Sequence, residues 1–130
     1  MCLFYFGNSI RYIPCLLFDD NNDNYTTLNI VIDSTTVPTM YSEVSISGQF
    51  DGKGNFYVTS LSATAGSESD VDVGARNWGH AEIYVPDSAL NAYTTTTPWT
   101  KLARENKIHP ISELGSQYKN IISQYVDNFE

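Results

Sequence analysis

Few residues in this chain have both the type and the spacing that catalysis requires. The two histidines, His80 and His109, lie beside glycine and proline, and neither belongs to an H-E-x-x-H metal-binding pattern. The glycines Gly48, Gly52 and Gly54 fit neither a dinucleotide-binding nor a P-loop pattern, and a turn between strands explains them better. The sequence therefore predicts a protein that is not an enzyme, without catalytic or cofactor-binding residues.

One acidic loop offers oxygen ligands at the spacing of a calcium site. Asp19, Asn21 and Asp23 occupy the first, third and fifth positions of such a loop. Asn24 stands where the loop needs glycine, and Ile30 stands where it needs a bidentate glutamate. We therefore predict no functional metal.

Aromatic side chains offer a second kind of chemistry, because exposed rings can stack on sugars. Such rings would make the chain a carbohydrate-binding module that recognises a surface glycan. The competing interpretation places the same rings in the hydrophobic core. The candidates are Trp78, Tyr84, Tyr93 and Trp99.

Length and charge narrow the class of protein. A chain of 130 residues with 42% hydrophobic and 17% charged residues suits one folded domain. Its formal net charge of −8 disfavours contact with nucleic acid and with anionic membrane surfaces. No stretch reaches the roughly 20 apolar residues of a membrane helix, so we predict no membrane insertion.

The N-terminal region is apolar, and we interpret residues 1–18 as strands of the fold. They lack the basic start and the small-residue cleavage site of a secretory signal. Cys2 and Cys15 are the two cysteines, and they either form a disulfide or remain free thiols.

Alternating apolar residues and turn residues predict a β-rich body up to residue 85. Residues 25–37 are typical of a half-buried strand, and residues 42–60 are typical of a hairpin that turns at residues 51–55. Residues 62–77 have the small, polar composition of a long loop, and residues 81–85 have the composition of another strand.

Helical patterns follow this body. Residues 87–106 predict two short helices, and residues 116–128 predict a terminal helix. The apolar stripe of the terminal helix either packs on its own core or docks on a partner chain. The residues predicted to contact a partner are Ile121, Ile122, Tyr125 and Phe129.

The stretch IYVPDSALNAY, together with PWTKLARENKIHPISEL after it, resembles the C-terminal cap of leucine-rich-repeat surface proteins from gut anaerobes. The ending is also similar to that of structural proteins of phages that infect such bacteria. The resemblance covers roughly residues 28–40 and 81–114, and it implies a strand followed by helices that cover the end of a repeat stack. The cap residues it implies are Tyr84, Pro86, Leu90, Tyr93, Trp99 and Leu102.

The chain also departs from that family. No leucine-rich repeats precede the cap, and residues 41–80 separate the two resembling pieces. We therefore expect a stand-alone module instead of the end of a long array.

These observations predict an α+β fold with a β-rich body and hairpin, short capping helices and a C-terminal helix. Residues 1–115 would form the main domain, with the cap-like part at 81–114, and residues 116–130 would form a segment that docks on a partner. We expect a non-enzymatic structural or attachment module of a larger extracellular assembly. A phage virion component (head decoration, fibre or tail protein) is favoured, and a bacterial surface adhesin is its close alternative. The expected partners are other protein subunits, including further copies of the chain.

Overall fold

A computed structural model describes residues 2–15, 17, 28–71, 77–116 and 120 of the chain. The predicted terminal helix lies almost wholly outside these residues, as do its four predicted contact residues, Ile121, Ile122, Tyr125 and Phe129. The predicted calcium-like loop also lies outside them, apart from Ile30.

The described residues form a mixed α and β fold with two sheets, in agreement with the predicted α+β class. The strands are β1 (Cys2–Phe6), β2 (Tyr12–Pro14), β3 (Leu28–Ile32), β4 (Thr39–Phe50), β5 (Phe56–Ala65), β6 (Ala81–Val85) and β7 (Ile108–Pro110). The α-helices are α1 (Leu90–Thr95) and α2 (Trp99–Arg104). Short 3-10 helices lie at Glu68–Asp70, Asn77–His80, Asp87–Ala89 and Ile111–Glu113.

The first sheet is entirely parallel, with the order β1-β3-β6-β7. The order of its strands in space is therefore the same as their order along the chain. Paired positions on β1 and β3 are 26 residues apart (Cys2 and Leu28), and those on β6 and β7 are 25 apart (Ile83 and Ile108). Leu28 and Ala81 are 53 apart, because the long hairpin of β4 and β5 lies between them. The chain therefore coils with about one strand per 26 residues, and one long hairpin interrupts the coil.

The two sheets repeat a similar interval along the chain. In the parallel sheet, β3 lies between β1 and β6. The opposite wall repeats the pattern, because β2 pairs in parallel with the first residues of β4, 27 positions later. The inserted hairpin hides the repeat in the sequence, since it doubles one of the three intervals.

The hairpin, the strand at residues 81–85 and the helical character of residues 87–106 are confirmed. One local prediction is wrong, because β5 continues through Ala65 into the segment predicted as loop. Ile108–Pro110 pairs with β6 as a further strand that the sequence did not predict.

The core lies between the parallel sheet, the second sheet and the helices. Ile30, Ile32, Ile83 and Val85 point inward from the parallel sheet, where they meet the buried side chains of α1 and α2. Burial alternates along β6, where Ala81, Ile83 and Val85 are buried and the residues between them are half-buried. β3 does not alternate in this way, because Val31 is also buried although it lies on the opposite face of the sheet.

Candidate functional site

The hairpin of β4 and β5 exposes an apolar surface that the other described residues do not cover. Its pairing with β2 ends at Tyr41, while β4 and β5 continue to pair out to Phe50 and Phe56. Every residue of β5 is exposed. The large apolar side chains that are at least 43% exposed here are Val44, Ile46, Phe50, Phe56, Val58 and Leu61.

The register places these side chains on one face of the hairpin. Cross-strand partners share a face, and the pairs are Val44 with Ala63, Ile46 with Leu61, Gly48 with Val58 and Phe50 with Phe56. If β5 alternated regularly, the side chain of Val58 would lie on the other face of the hairpin. The register shift between Ser47 and Gly48 leaves Thr59 as an extra residue, so the apolar row stays continuous. We call this row, from Tyr41 and Ala63 to Phe50 and Phe56, the apolar hairpin face.

The other face of the hairpin is polar. It carries the pairs Ser45 with Ser62, Ser47 with Ser60 and Gln49 with Tyr57. Two faces of opposite character on a solvated ribbon are typical of a sheet that packs on one side only. Because a two-stranded ribbon has little stability of its own in water, its apolar face is the side expected to contact another surface.

The tip of the hairpin is fixed by one carboxylate. Asp51 accepts hydrogen bonds from the backbone N–H of Lys53 (2.6 Å) and from the side chain of Asn55 (2.9 Å). These bonds, with the side-chain bond from Asn55 the strongest contributor, lower the pKa of Asp51. Gly52 and Gly54 supply positive φ angles of 78° and 93°.

The base of the hairpin is anchored in the core. The backbone N–H of Gly66 donates to the carbonyl of Met40 (2.7 Å), and a Cβ atom at Gly66 would lie 2.3 Å from Sγ of Cys15. Cys15 is a buried free thiol, and burial followed by the charge of Asp70 raises its pKa. The hairpin therefore leaves the body through a joint at which a side chain larger than that of glycine would clash with Cys15.

A depression lies at the base of the apolar hairpin face. Its volume is about 230 Å³ and its lining is mainly apolar. Tyr12 of β2 forms one side and is 59% exposed. The other lining residues are Tyr41, Val44, Leu61 and Ala63.

Most of the residues predicted to form the cap do lie together over the core. Tyr93, Trp99 and Leu102 are fully buried, and Leu90 packs against the same cluster. The rings of Tyr93 and Trp99 meet edge to face at 5.3 Å. The hydroxyl of Tyr93 donates to the carbonyl of Ser34 (2.7 Å), and burial raises the pKa of that hydroxyl.

Two predicted cap residues lie elsewhere. Tyr84 points to the opposite face of the parallel sheet, because strand alternation separates it from Ile83 and Val85. Pro86 is half-buried and precedes the 3-10 helix Asp87–Ala89, so it contributes to the chain turn.

The proposed sugar platform is wrong for three of its four rings. Trp78, Tyr93 and Trp99 are all 0% exposed. Both indoles donate to carbonyls on the opposite wall of the coil, Trp78 to Cys15 and Trp99 to Pro38, each at 3.0 Å. These three large rings and their hydrogen bonds stabilise the core. Of the four candidates, only Tyr84 lies at a surface.

The outer face of the parallel sheet carries polar groups beside Tyr84. His109 lies next to that ring with centroids 5.3 Å apart, and its Nε2 contacts the carboxylate of Glu82 at 2.5 Å. Lys107 lies 3.9 Å from the same carboxylate. On β1, burial and then the hydrogen bond to Asp33 raise the pKa of Tyr5 to about 12. These groups pair with one another and form no arrangement of nucleophile and base.

A salt bridge ties α2 to the 3-10 helix that follows the hairpin. Arg104 donates two hydrogen bonds of 2.8 Å to the carboxylate of Glu68, and Thr100 donates a third. The bonds from Arg104, followed by that from Thr100, lower the pKa of Glu68 to about 2. This contact fixes the chain as it leaves the joint at Gly66.

Among the described residues, no group of three or more His, Cys, Asp or Glu side chains is placed to hold a metal ion. Within the same part of the chain, no helix has the length and apolar character needed to cross a membrane. Comparisons with protein-family models, curated proteins and solved structures found no match for this chain.

Proposed function

We propose that this chain is a non-enzymatic structural module that attaches to other protein subunits through the apolar hairpin face. The observation that carries the proposal is the continuous row of exposed apolar side chains on a hairpin inserted into an otherwise regular coil. Exposed apolar patches of this size on small proteins are typical of protein interaction sites.

The body supports this role because its packed core holds the base of the hairpin. Its coil resembles a short repeat stack, with the helices of residues 87–106 lying over the core like the cap of a leucine-rich-repeat protein. The hairpin base is fixed by Gly66 and by the contact of Glu68 with Arg104. In this proposal the assembly is extracellular, either a phage virion or a bacterial surface structure.

The proposal is tested in the phage or bacterium that encodes the chain. An epitope-tagged copy should be recovered with purified particles or with the cell-surface fraction. Ile46→Asp should release it into the soluble fraction, because an aspartate cannot be buried in an apolar contact without a partner. Ser45→Asp adds the same charge to the polar face and should leave the chain attached. Equal release of both variants, or a chain that never sediments with an assembly, would refute the proposal.

A further inference from the structure

We infer that the partner of the apolar hairpin face is a second copy of this chain, bound face to face about a two-fold axis near Ile46. This inference rests on the proposed function, since it names the subunit that the hairpin contacts, and it implies that the assembly takes up the chain as a pair that Ile46→Asp breaks. Three features carry it: a knob and a hole at matching distances from Ile46, the charge distribution, and the area of the face.

The knob is the aromatic pair at the tip, and the hole is the depression at the base. The rings of Phe50 and Phe56 pack together with centroids 4.8 Å apart, and Phe50 is 74% exposed. The depression lies at Tyr41 and Val44 on the same face, and its 230 Å³ is ample for a ring, since a cavity of about 150 Å³ holds benzene.

The distances from Ile46 match. Phe50 follows Ile46 by four residues, about 13 Å along a strand. The depression extends from Leu61, which pairs with Ile46, to Tyr41, which pairs with Ala65 four residues further along β5, so its outer end also lies about 13 Å from Ile46. A two-fold axis at Ile46 therefore places Phe50 of each copy over the depression of the other, and every contact occurs twice, as in isologous interfaces.

The charges permit two copies to meet here. The chain carries a formal charge of −8, so two copies repel over most of their surface. The charged residues of Thr39–Ala65 are Glu43, Asp51 and Lys53, and none lies in the apolar row. A basic partner would be expected to meet acidic side chains on this face, and the row offers none.

The area is also sufficient. The exposed parts of the six large apolar side chains and Tyr12 amount to roughly 700 Å² per copy, close to the roughly 800 Å² that each partner buries in a standard interface. Two ribbons packed in this way would form a small sandwich with a dry core.

Thiol cross-linking of the full chain tests this geometry. Cys2 and Cys15 are first replaced by serine and alanine, and then Ile46→Cys places one thiol at the axis. A short bis-maleimide should link most of the Ile46→Cys chains into pairs, because the two thiols face each other. Ser45→Cys, on the polar face one residue away, should stay unlinked.

The other outcomes each overturn the inference. Equal linking of both variants would mean random collision. If the Ile46→Cys chain stays unlinked, a freely labelled thiol would mean that the face is uncovered, and a protected thiol in a protein with the mass of one chain in solution would mean that the face is covered from within the chain. If Ile46→Cys stays unlinked while Ile46→Asp still releases the tagged chain from its assembly, the docking face stands and its partner is a different protein.

Discussion

Trp99 joins the two walls of the coil through one polar and several apolar contacts. Its indole donates to the carbonyl of Pro38, and its ring contacts Tyr93 and Trp78 in the core. Trp99→Phe keeps an aromatic ring but leaves that carbonyl without its donor, so we expect a loss of about 1–3 kcal/mol in the free energy of unfolding. Urea unfolding measures this loss. Asn91→Ala, at an exposed position of α1, should change the free energy by less than about 0.5 kcal/mol.

Asp51 makes the hairpin tip sensitive to acid. A lowered folded-state pKa means that the carboxylate stabilises the turn fully above about pH 4, the range of an ordinary aspartate, and that this contribution is lost as the pH falls through the lowered value. Hydrogen exchange at the amides of Lys53 and Asn55, corrected for the intrinsic effect of pH, should therefore accelerate in that window. In Asp51→Asn, which keeps an acceptor but does not titrate, the acceleration should disappear; its persistence would show that another group is responsible.

At the scale of elements, the joint at Gly66 determines whether the hairpin and the body fit together. Gly66→Ala would place a methyl group 2.3 Å from Sγ of Cys15, and overpacking of this kind costs about 1–3 kcal/mol. Gly7→Ala is the matched control, because its nearest contact would be an ordinary 3.8 Å. Denaturant unfolding should show the loss only for Gly66→Ala, and Cys15→Ala should restore part of it in the double variant. Equal losses in the single and double variants would contradict the steric cause.

The hairpin is an insertion, so the body should fold without its outer part. Replacing residues 43–64 by an Asn-Gly turn should leave the near-ultraviolet circular dichroism of Trp78 and Trp99 and a single cooperative unfolding transition. Loss of both signals would show that the hairpin belongs to the core of the fold.

The sequence predicts elements more reliably than their arrangement. Alternation and turn glycines identified the hairpin, and helical patterns identified the short helices of 87–106, although neither α-helix has a side-chain cap hydrogen bond. The parallel coil was missed because the insertion breaks its period, and β7 was missed because three residues carry no periodic signal. Tyr84 was assigned to the cap by the resemblance, whereas the alternation of β6 places it on the other face. The apolar hairpin face was recognisable only in part, since its continuity depends on the extra residue Thr59.

At the scale of the whole molecule, the net charge opposes self-association and the uncharged hairpin face favours it. Between about 0.01 and 0.15 M salt the screening length falls from about 30 to about 8 Å, which weakens the repulsion between chains of charge −8. Self-association should therefore strengthen as salt is added, as measured by the dissociation constant from light scattering. Docking on an oppositely charged partner would weaken under the same change.

The central claim is that the apolar hairpin face holds two copies of the chain together. Sedimentation equilibrium of the purified protein tests it most directly, with Ile46→Asp and Ser45→Asp measured at the same concentration. We expect the wild-type chain and Ser45→Asp to have twice the 14.5 kDa mass of one chain, and Ile46→Asp to have the mass of one folded chain. A single-chain mass for the wild type, or an unchanged double mass for Ile46→Asp, would contradict the claim.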